Sequence, residues 1–149
     1  MKTLVHTLYI CFLGFPLLLY EQVQPDMPYR IEGTWELINQ YSYEGMEIID
    51  TIDNSDGYRQ IKMFYKGKVM WTRYVPKDSI EWFGYGSYTT TDSTLTETLE
   101  YGSASMMGIV DTMRVFNFEL LLRKNYYQQI TTDGEGNRLF SENYRRISN

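Results

Sequence analysis

Cysteine and histidine are nearly absent from this chain of 149 residues, which contains one of each. Both lie near the start of the chain, as His6 and Cys11. Beyond residue 11 there is no thiol to form a disulfide or act as a nucleophile, and no imidazole to act as a general base. Zinc sites built from histidine and cysteine are excluded on the same ground. We therefore predict a protein that is not an enzyme and that needs no metal and no cofactor.

Basic residues are also in the minority. The chain has 14 Lys and Arg against 19 Asp and Glu, a net charge of −5. The basic residues are scattered singly, whereas nucleic-acid binding depends on clustered cations that neutralise phosphates. The composition therefore excludes nucleic acid as a partner, and the acidity favours solubility.

The first twenty residues differ in composition from the rest. Lys2 precedes an almost unbroken apolar run from residue 4 to residue 20, and the first acidic residue is Glu21. A charged start followed by an apolar run is typical of a secretory signal peptide. A retained membrane anchor is the alternative, since the run is at the short limit for a membrane span. Cys11 follows the bulky Ile10, so a lipoprotein is not expected.

This pattern divides the chain into three parts. We predict a signal peptide at 1–20, with cleavage between residues 16 and 28, then a linker at 21–29 and a single domain at 30–149. Export to the periplasm, the cell surface or the extracellular space follows from this division, and the leader is the only segment expected to contact a membrane.

The remainder of the chain has the composition of strands. It is rich in Tyr, Phe, Trp, Thr, Ile and Val, which favour β-structure. Turn signals such as DNSDG, KG and DGEGN recur at short intervals, which is typical of an all-β sandwich or barrel. The segment 102–108 is predicted as a loop or one helical turn. We predict strands near 30–40, 46–52, 58–65, 68–75, 81–90, 94–101, 109–122, 125–132 and 138–147.

Side-chain alternation separates the two faces of these strands. Ile31, Gly33, Trp35 and Leu37 share the apolar face of the first strand. Later apolar faces include charged residues, which are Glu97, Arg114, Glu142 and Arg146. Buried charges are costly unless they are paired. These residues therefore pair with one another, contact a ligand in a cavity, or lie on a face that is in fact exposed.

Aromatic residues concentrate in the central strands. One interpretation is a stacking surface for a ligand, and the other is a packed core with hydroxyl groups at its rim. Gly84 and Gly86 indicate sharp coiling of the sheet or the close approach of another group. The central set consists of Trp71, Arg73, Trp82, Tyr85 and Tyr88.

Two other chemistries are disfavoured. Glu97 and Glu142 are the candidate carboxylate pair of a glycosidase, but no neighbouring motif supports that role. The loops 53–57 and 133–137 contain residues that bind calcium, yet neither has the spacing of an EF-hand. Asp, Asn and Gly are the usual residues of tight turns, and we interpret both loops as turns.

Four segments together resemble a known superfamily: GTWEL at 33–37, MFYKGKVMW at 63–71, GYGSYTTTDSTLTETLEY at 84–101 and ENYRR at 142–146. This order resembles the calycins, and more closely the bacterial lipocalin-like domains of unknown function in exported proteins. The resemblance implies an all-β, antiparallel up-and-down β-barrel of about 8–10 strands, with a ten-stranded fatty-acid-binding-protein-like barrel as one form. It also implies that Gly33, Trp35 and Arg146 close one end of the barrel.

The resemblance implies a monomer that binds one small hydrophobic or amphipathic molecule without chemistry. The alternative is a filled barrel that acts as a protein-interaction or inhibitor module. A cavity of about 300 Å³ or more would favour the binder. The predicted ligand-binding residues are Trp71, Arg73, Tyr88, Glu97, Arg114, Glu142 and Tyr144.

Overall fold

The computed structural model of the protein describes residues 29–77 and 80–149. The predicted signal peptide at 1–20 and nearly all of the predicted linker at 21–29 lie outside the described residues. Within the described ranges, no helix has the length and apolar character needed to cross a membrane.

The described residues form nine strands and one short helix. The strands are β1 (Gly33–Glu44), β2 (Glu47–Asp53), β3 (Arg59–Tyr65), β4 (Lys68–Tyr74), β5 (Trp82–Thr90), β6 (Thr94–Gly102), β7 (Val115–Leu122), β8 (Tyr126–Thr132) and β9 (Arg138–Ser148). The helix α1 (Ala104–Val110) lies between β6 and β7.

The strands close into a ring. Strands β3 to β8 each pair antiparallel with the next strand in the chain, and β9 pairs with β1. The other edge of β1 is shared, because β3 pairs with residues 33–36 and β2 pairs with residues 39–44. The predicted fold class, an all-β antiparallel up-and-down barrel of about 8–10 strands, is confirmed.

Tight turns join neighbouring strands at one end of the barrel. Lys66 and Gly67 both have positive φ, 46° and 75°, at the turn between β3 and β4. Two consecutive residues with positive φ are typical of a type I′ turn, whose twist matches that of the two strands it joins. Glycine adopts this conformation without steric cost, which explains the KG dipeptide at this turn.

The apolar core fills the barrel near this end. Trp35, Phe64, Leu95, Tyr127 and Tyr144 are all fully buried there. Each lies on the inward face of its strand, as the period of two requires. The half of the barrel with the tight turns is therefore closed by packed side chains.

The predicted strand at 109–122 is wrong in its first part. Residues Ala104–Val110 form α1, and β7 begins only at Val115. Ser103 caps the helix, because its side-chain oxygen accepts a hydrogen bond of 3.3 Å from the backbone N–H of Met106. Arg114 therefore precedes the strand and does not lie on its inward face.

A β-bulge in β1 between Leu37 and Asn39 changes which of the following side chains point into the barrel. Leu37 pairs with Tyr144 and Asn39 with Asn143, so β1 has one more residue than β9 at this point. As a result Tyr43, beyond the bulge, packs on the outside of the barrel, where its hydroxyl lies 3.3 Å from Ser141 Oγ.

Candidate functional site

The closed end of the barrel is sealed by Arg146. Its guanidinium carbon lies 4.0 Å from the centre of the Trp35 ring, so the predicted contact is present. The guanidinium donates hydrogen bonds to the backbone carbonyls of Arg30, Glu32 and Lys124. A Cβ at Gly33 would lie 2.5 Å from Arg146 Nη1, which explains why glycine is needed here. Burial lowers the pKa of Arg146.

The opposite end of the barrel contains a cavity of about 360 Å³. It lies between helix α1 and residues of seven strands, β3 to β9. The lining residues are Gln60, Lys62, Trp71, Arg73, Trp82, Glu97, Leu99, Met106, Ile109, Phe116, Phe118, Gln129, Thr131, Phe140 and Glu142. The interior is therefore filled in one half and open in the other.

A buried ion pair lies on the inner side of this cavity. Lys62 Nζ is 2.9 Å from Glu97 Oε1, and both side chains are less than 5% exposed. The same ammonium donates a hydrogen bond of 2.8 Å to Gln129 Oε1. A buried charge pair is tolerated only when its remaining donors and acceptors are satisfied, and the amide supplies part of that requirement.

Glu142 is the centre of a second polar group. Its Oε1 accepts a hydrogen bond of 3.1 Å from Gln60 Nε2. Its Oε2 accepts hydrogen bonds of 2.8 Å from Gln129 Nε2 and 2.7 Å from the hydroxyl of Tyr144. Gln129 thus connects Glu142 to the Lys62–Glu97 pair, and one continuous hydrogen-bond network crosses the barrel.

Arg73 is the cation nearest the open side of this network. Its Nε donates a hydrogen bond of 2.9 Å to Gln60 Oε1, and its Nη2 lies 3.5 Å from Glu142 Oε1. The side chain is 32% exposed, against 3% for Lys62. No described residue accepts a hydrogen bond from Nη1, so Arg73 retains capacity for an additional acceptor.

The walls around these polar groups are apolar and largely aromatic. The Trp71 indole lies against Gly84, where a Cβ would be 2.8 Å from the ring. Of the two interpretations of this glycine, sharp coiling of the sheet and the close approach of another group, the second is observed. Helix α1 contributes Met106 and Ile109 to the wall, and the strands contribute Trp82, Phe116, Phe118 and Phe140.

Two parallel tyrosine rings lie beneath the network. Tyr127 and Tyr144 stack with their ring centres 4.7 Å apart. Burial, with smaller contributions from the negative charges of Glu97 and Glu142, raises the pKa of both phenols well above the usual value. The Tyr127 hydroxyl is buried and has no hydrogen-bond partner among the described residues. The layer of side chains directly beneath the cavity network therefore consists of packed, neutral aromatic rings.

These tyrosines provide a measurable pH dependence. The pKa is raised in the folded state, so the neutral phenols stabilise the fold fully below about pH 10, and this stabilisation is lost as the pH rises above it. We expect some tyrosines of the native protein to stay protonated at pH values at which all tyrosines of the urea-unfolded protein have ionised. Ultraviolet absorbance of tyrosinate measures both curves. Coincident curves for native and unfolded protein would contradict this expectation.

Three of the predicted ligand-binding residues are not where the sequence suggested. Arg114 lies outside the cavity, half-exposed, and donates to the carbonyl of Glu100. Tyr144 is fully buried below the cavity. Tyr88 packs edge-on against Phe64 in the core, with ring centres 4.9 Å apart. The four that line the cavity are Trp71, Arg73, Glu97 and Glu142.

The four charged residues on the predicted apolar faces do not pair with one another. Glu97 pairs with Lys62 and Glu142 with Arg73, whereas Arg146 is bound by backbone carbonyls. Lys62, Gln60 and Gln129 are not among the site residues predicted from the sequence. Side-chain alternation in β3 indicates two of these residues, because Gln60 and Lys62 share a face of the strand with the apolar Phe64.

The arrangement of the site is suited to holding a polar group rather than to activating one. Both oxygens of Glu142 accept hydrogen bonds, and Glu97 is neutralised by Lys62. Among residues 29–77 and 80–149, no group of three His, Cys, Asp or Glu side chains is close enough to hold a metal ion.

Comparison with known proteins gives a structural likeness only. No family model matches the sequence, and no curated protein matches it. The fold is similar to the crystal structure of an uncharacterized protein from Bacteroides eggerthii, with a TM-score of 0.51 and 19% sequence identity. The match covers 78% of this chain and 98% of that one. At this identity the likeness establishes a shared all-β fold.

Proposed function

We propose that this protein is an exported, lipocalin-like barrel of the calycin type, which binds one small amphipathic molecule without chemistry. The observation that carries the proposal is the cavity of about 360 Å³ at the open end. Small-molecule sites are concave, mostly apolar, and contain a few polar groups that fix the orientation of the ligand. This cavity has all three properties.

The chemistry of the lining residues would determine the orientation of a ligand in the cavity. The apolar part would lie against Trp71, Trp82 and the three phenylalanines of the wall. The polar end would face Arg73, whose guanidinium is partly exposed and whose Nη1 has no acceptor among the described residues. Lys62 is already neutralised by Glu97, so Arg73 is the cation with remaining donor capacity among the described residues that line the cavity. An acceptor-bearing or anionic polar group fits this site best.

The proposed family membership is supported by the closed end. Trp35 lies under Arg146 of the last strand, which is the contact implied by the resemblance to calycins. The meander of strands and the pairing of β1 with β9 are compatible with the same family. Export rests on the pattern of the first twenty residues, and action as a monomer remains part of the proposal.

Binding can be tested with a fluorescent amphipathic anion. We expect anilinonaphthalene sulfonate to bind native protein at one site. Arg73→Met is expected to weaken binding about tenfold, equivalent to about 1.4 kcal/mol, because the nearest free cation is lost. Ile109→Trp should weaken binding by filling the cavity from α1, where Ile109 is 38% exposed. A titration of fluorescence at fixed protein concentration measures both effects.

A matched variant controls for the loss of positive charge. Arg145→Met removes an arginine from the outer surface, where Arg145 bonds to Glu36. We expect this variant to bind the probe as native protein does. Native mass spectrometry of protein purified from its own host should also reveal a bound small molecule. The proposal is wrong if Arg73→Met and Ile109→Trp bind the probe as tightly as Arg145→Met and no small molecule copurifies.

A further inference from the structure

Strand β2 has a partner on only one of its edges. It pairs with β1 from residue 47 to residue 53. Its other edge pairs with no strand within the described parts of the chain. All seven residues of β2 are exposed. An unpaired strand presents a row of backbone N–H and C=O groups to which another extended chain can bind. We name this row the β2 edge.

The second half of the β2 edge has little of the usual protection against pairing with a basic strand. Proteins protect exposed edges with charged side chains, especially lysine, with proline, or with a bulge. No Lys, Arg or Pro occurs between Glu44 and Gly57. The register shift with β1 leaves Ile49 as an extra residue in β2, so the first half of the strand has a bulge and the pairing from Asp50 to Asp53 is regular. This part of the edge is therefore suited to accepting another strand.

Exposed isoleucines accompany the open backbone. Ile48, Ile49 and Ile52 are 52%, 61% and 42% exposed. Isoleucine normally packs against a neighbouring strand, and β-branched residues favour strand pairing. These side chains provide apolar contacts on both faces of an added strand.

The charges around the β2 edge all have one sign. Five acidic residues occur in this segment, and none forms a salt bridge with a described residue; they are Glu44, Glu47, Asp50, Asp53 and Asp56. Like charges on adjacent strands are destabilising, whereas opposite charges stabilise the pair. Pairing with a second copy of this chain would bring acidic residues together. A basic strand would instead be attracted.

We propose that the β2 edge binds an extended, positively charged segment of a partner protein as an added strand. Backbone hydrogen bonds supply affinity in this mode of recognition, and alternate side chains supply specificity. The acidic residues select a segment in which lysine or arginine alternates with apolar residues. This interaction is independent of the cavity, because β2 contributes no residue to its lining.

The probe is an acetylated peptide in which lysine alternates with valine. We expect it to bind the full chain, with affinity that falls as salt is added. Two matched peptides serve as comparisons, one with glutamate in place of lysine and one with methylated backbone nitrogens at alternate positions. Both are expected to bind at least about tenfold more weakly, since the first loses the attraction of charge and the second loses strand pairing.

A charge-reversal variant locates the binding site. In the double variant Asp50→Lys and Asp53→Lys, the preference should change from the basic to the acidic peptide. The control is the double variant Glu81→Lys and Asp92→Lys, which makes the same change of net charge at exposed positions that flank β5, a strand that does not neighbour β1 or β2. It should keep the preference for the basic peptide. Hydrogen exchange should show protection of β2 amides when the basic peptide is bound.

Three results would overturn the proposal. Equal binding of the methylated and unmethylated basic peptides would indicate charge attraction without strand addition. Equal behaviour of the two double variants would place the site elsewhere. Dimerisation of the free protein at rising concentration, with protection of β2 amides, would assign the edge to a second copy. Sedimentation equilibrium measures that last outcome.

Discussion

Replacing Lys62 by methionine is expected to lower the free energy of unfolding by about 3–5 kcal/mol. The substitution keeps most of the side-chain volume but leaves Glu97 buried without its counter-ion. It also removes the donor to Gln129 Oε1. A buried charge that loses its partner is among the most destabilising changes available to a core. Urea unfolding followed by far-ultraviolet circular dichroism measures the loss.

The double variant Lys62→Met and Glu97→Leu separates charge from packing. Apolar side chains of similar volume often replace a buried ion pair at little cost. We therefore expect the double variant to regain most of the stability lost by Lys62→Met. A residual loss should persist, because Gln129 Oε1 still lacks its donor. If the double variant is less stable than the single one, the loss does not arise from an unpaired Glu97.

Replacing Trp35 by alanine is expected to cost about 3–5 kcal/mol. The indole is fully buried and meets the Tyr127 ring edge-on at 4.8 Å. Its Nε1 donates a hydrogen bond of 2.7 Å to the carbonyl of Ile31. Alanine leaves a large cavity at the closed end and removes the ring that Arg146 covers. The same urea titration measures this variant.

Trp82 provides the matched control for this substitution. It lies at the open end and is only partly buried. Because its surroundings already include a cavity, Trp82→Ala should cost much less than Trp35→Ala. Trp35→Phe should fall between the two, since the ring is retained and the hydrogen bond is lost. Equal losses for Trp35→Ala and Trp82→Ala would contradict the assignment of Trp35 to closure of the barrel.

The strands of this protein could be predicted because their signals are local. Alternation placed Trp35 and Leu37 on one face, and turn dipeptides marked the hairpins. The contact between Trp35 and Arg146 could be anticipated only from the resemblance to calycins. Alternation places each residue on a face but does not determine which residues meet across the barrel.

The ion pair of the cavity could not be predicted for that reason. Lys62 and Glu97 are 35 residues apart and lie on strands that are not neighbours in the sheet. Their meeting depends on closure of the ring. A lysine in a strand is expected to face solvent, so the sequence favoured Arg114 and Arg146 as the partners of the inward acids.

Helix α1 could be predicted only in part, as a loop or one helical turn at 102–108, for a different reason. Seven residues make barely two turns, which is too short for a helical period to appear in the pattern of apolar residues. Its N-cap, Ser103, was visible in the sequence but is a weak signal on its own. The sequence predicts one strand from 109 to 122 and so places Arg114 on its inward face. The strand begins only at Val115, and Arg114 lies before it.

The pairing of β1 with β9 has a consequence for how the protein folds. The strands that close the ring are the first and last in the described sequence, with Trp35 opposite Arg146. Contacts between residues so far apart carry a large entropic cost before they bring any stabilisation, and they slow folding. During synthesis, the N-terminal strand emerges from the ribosome well before its final partner exists. The ring therefore cannot close, and Trp35 cannot meet Arg146, until β9 has been synthesised.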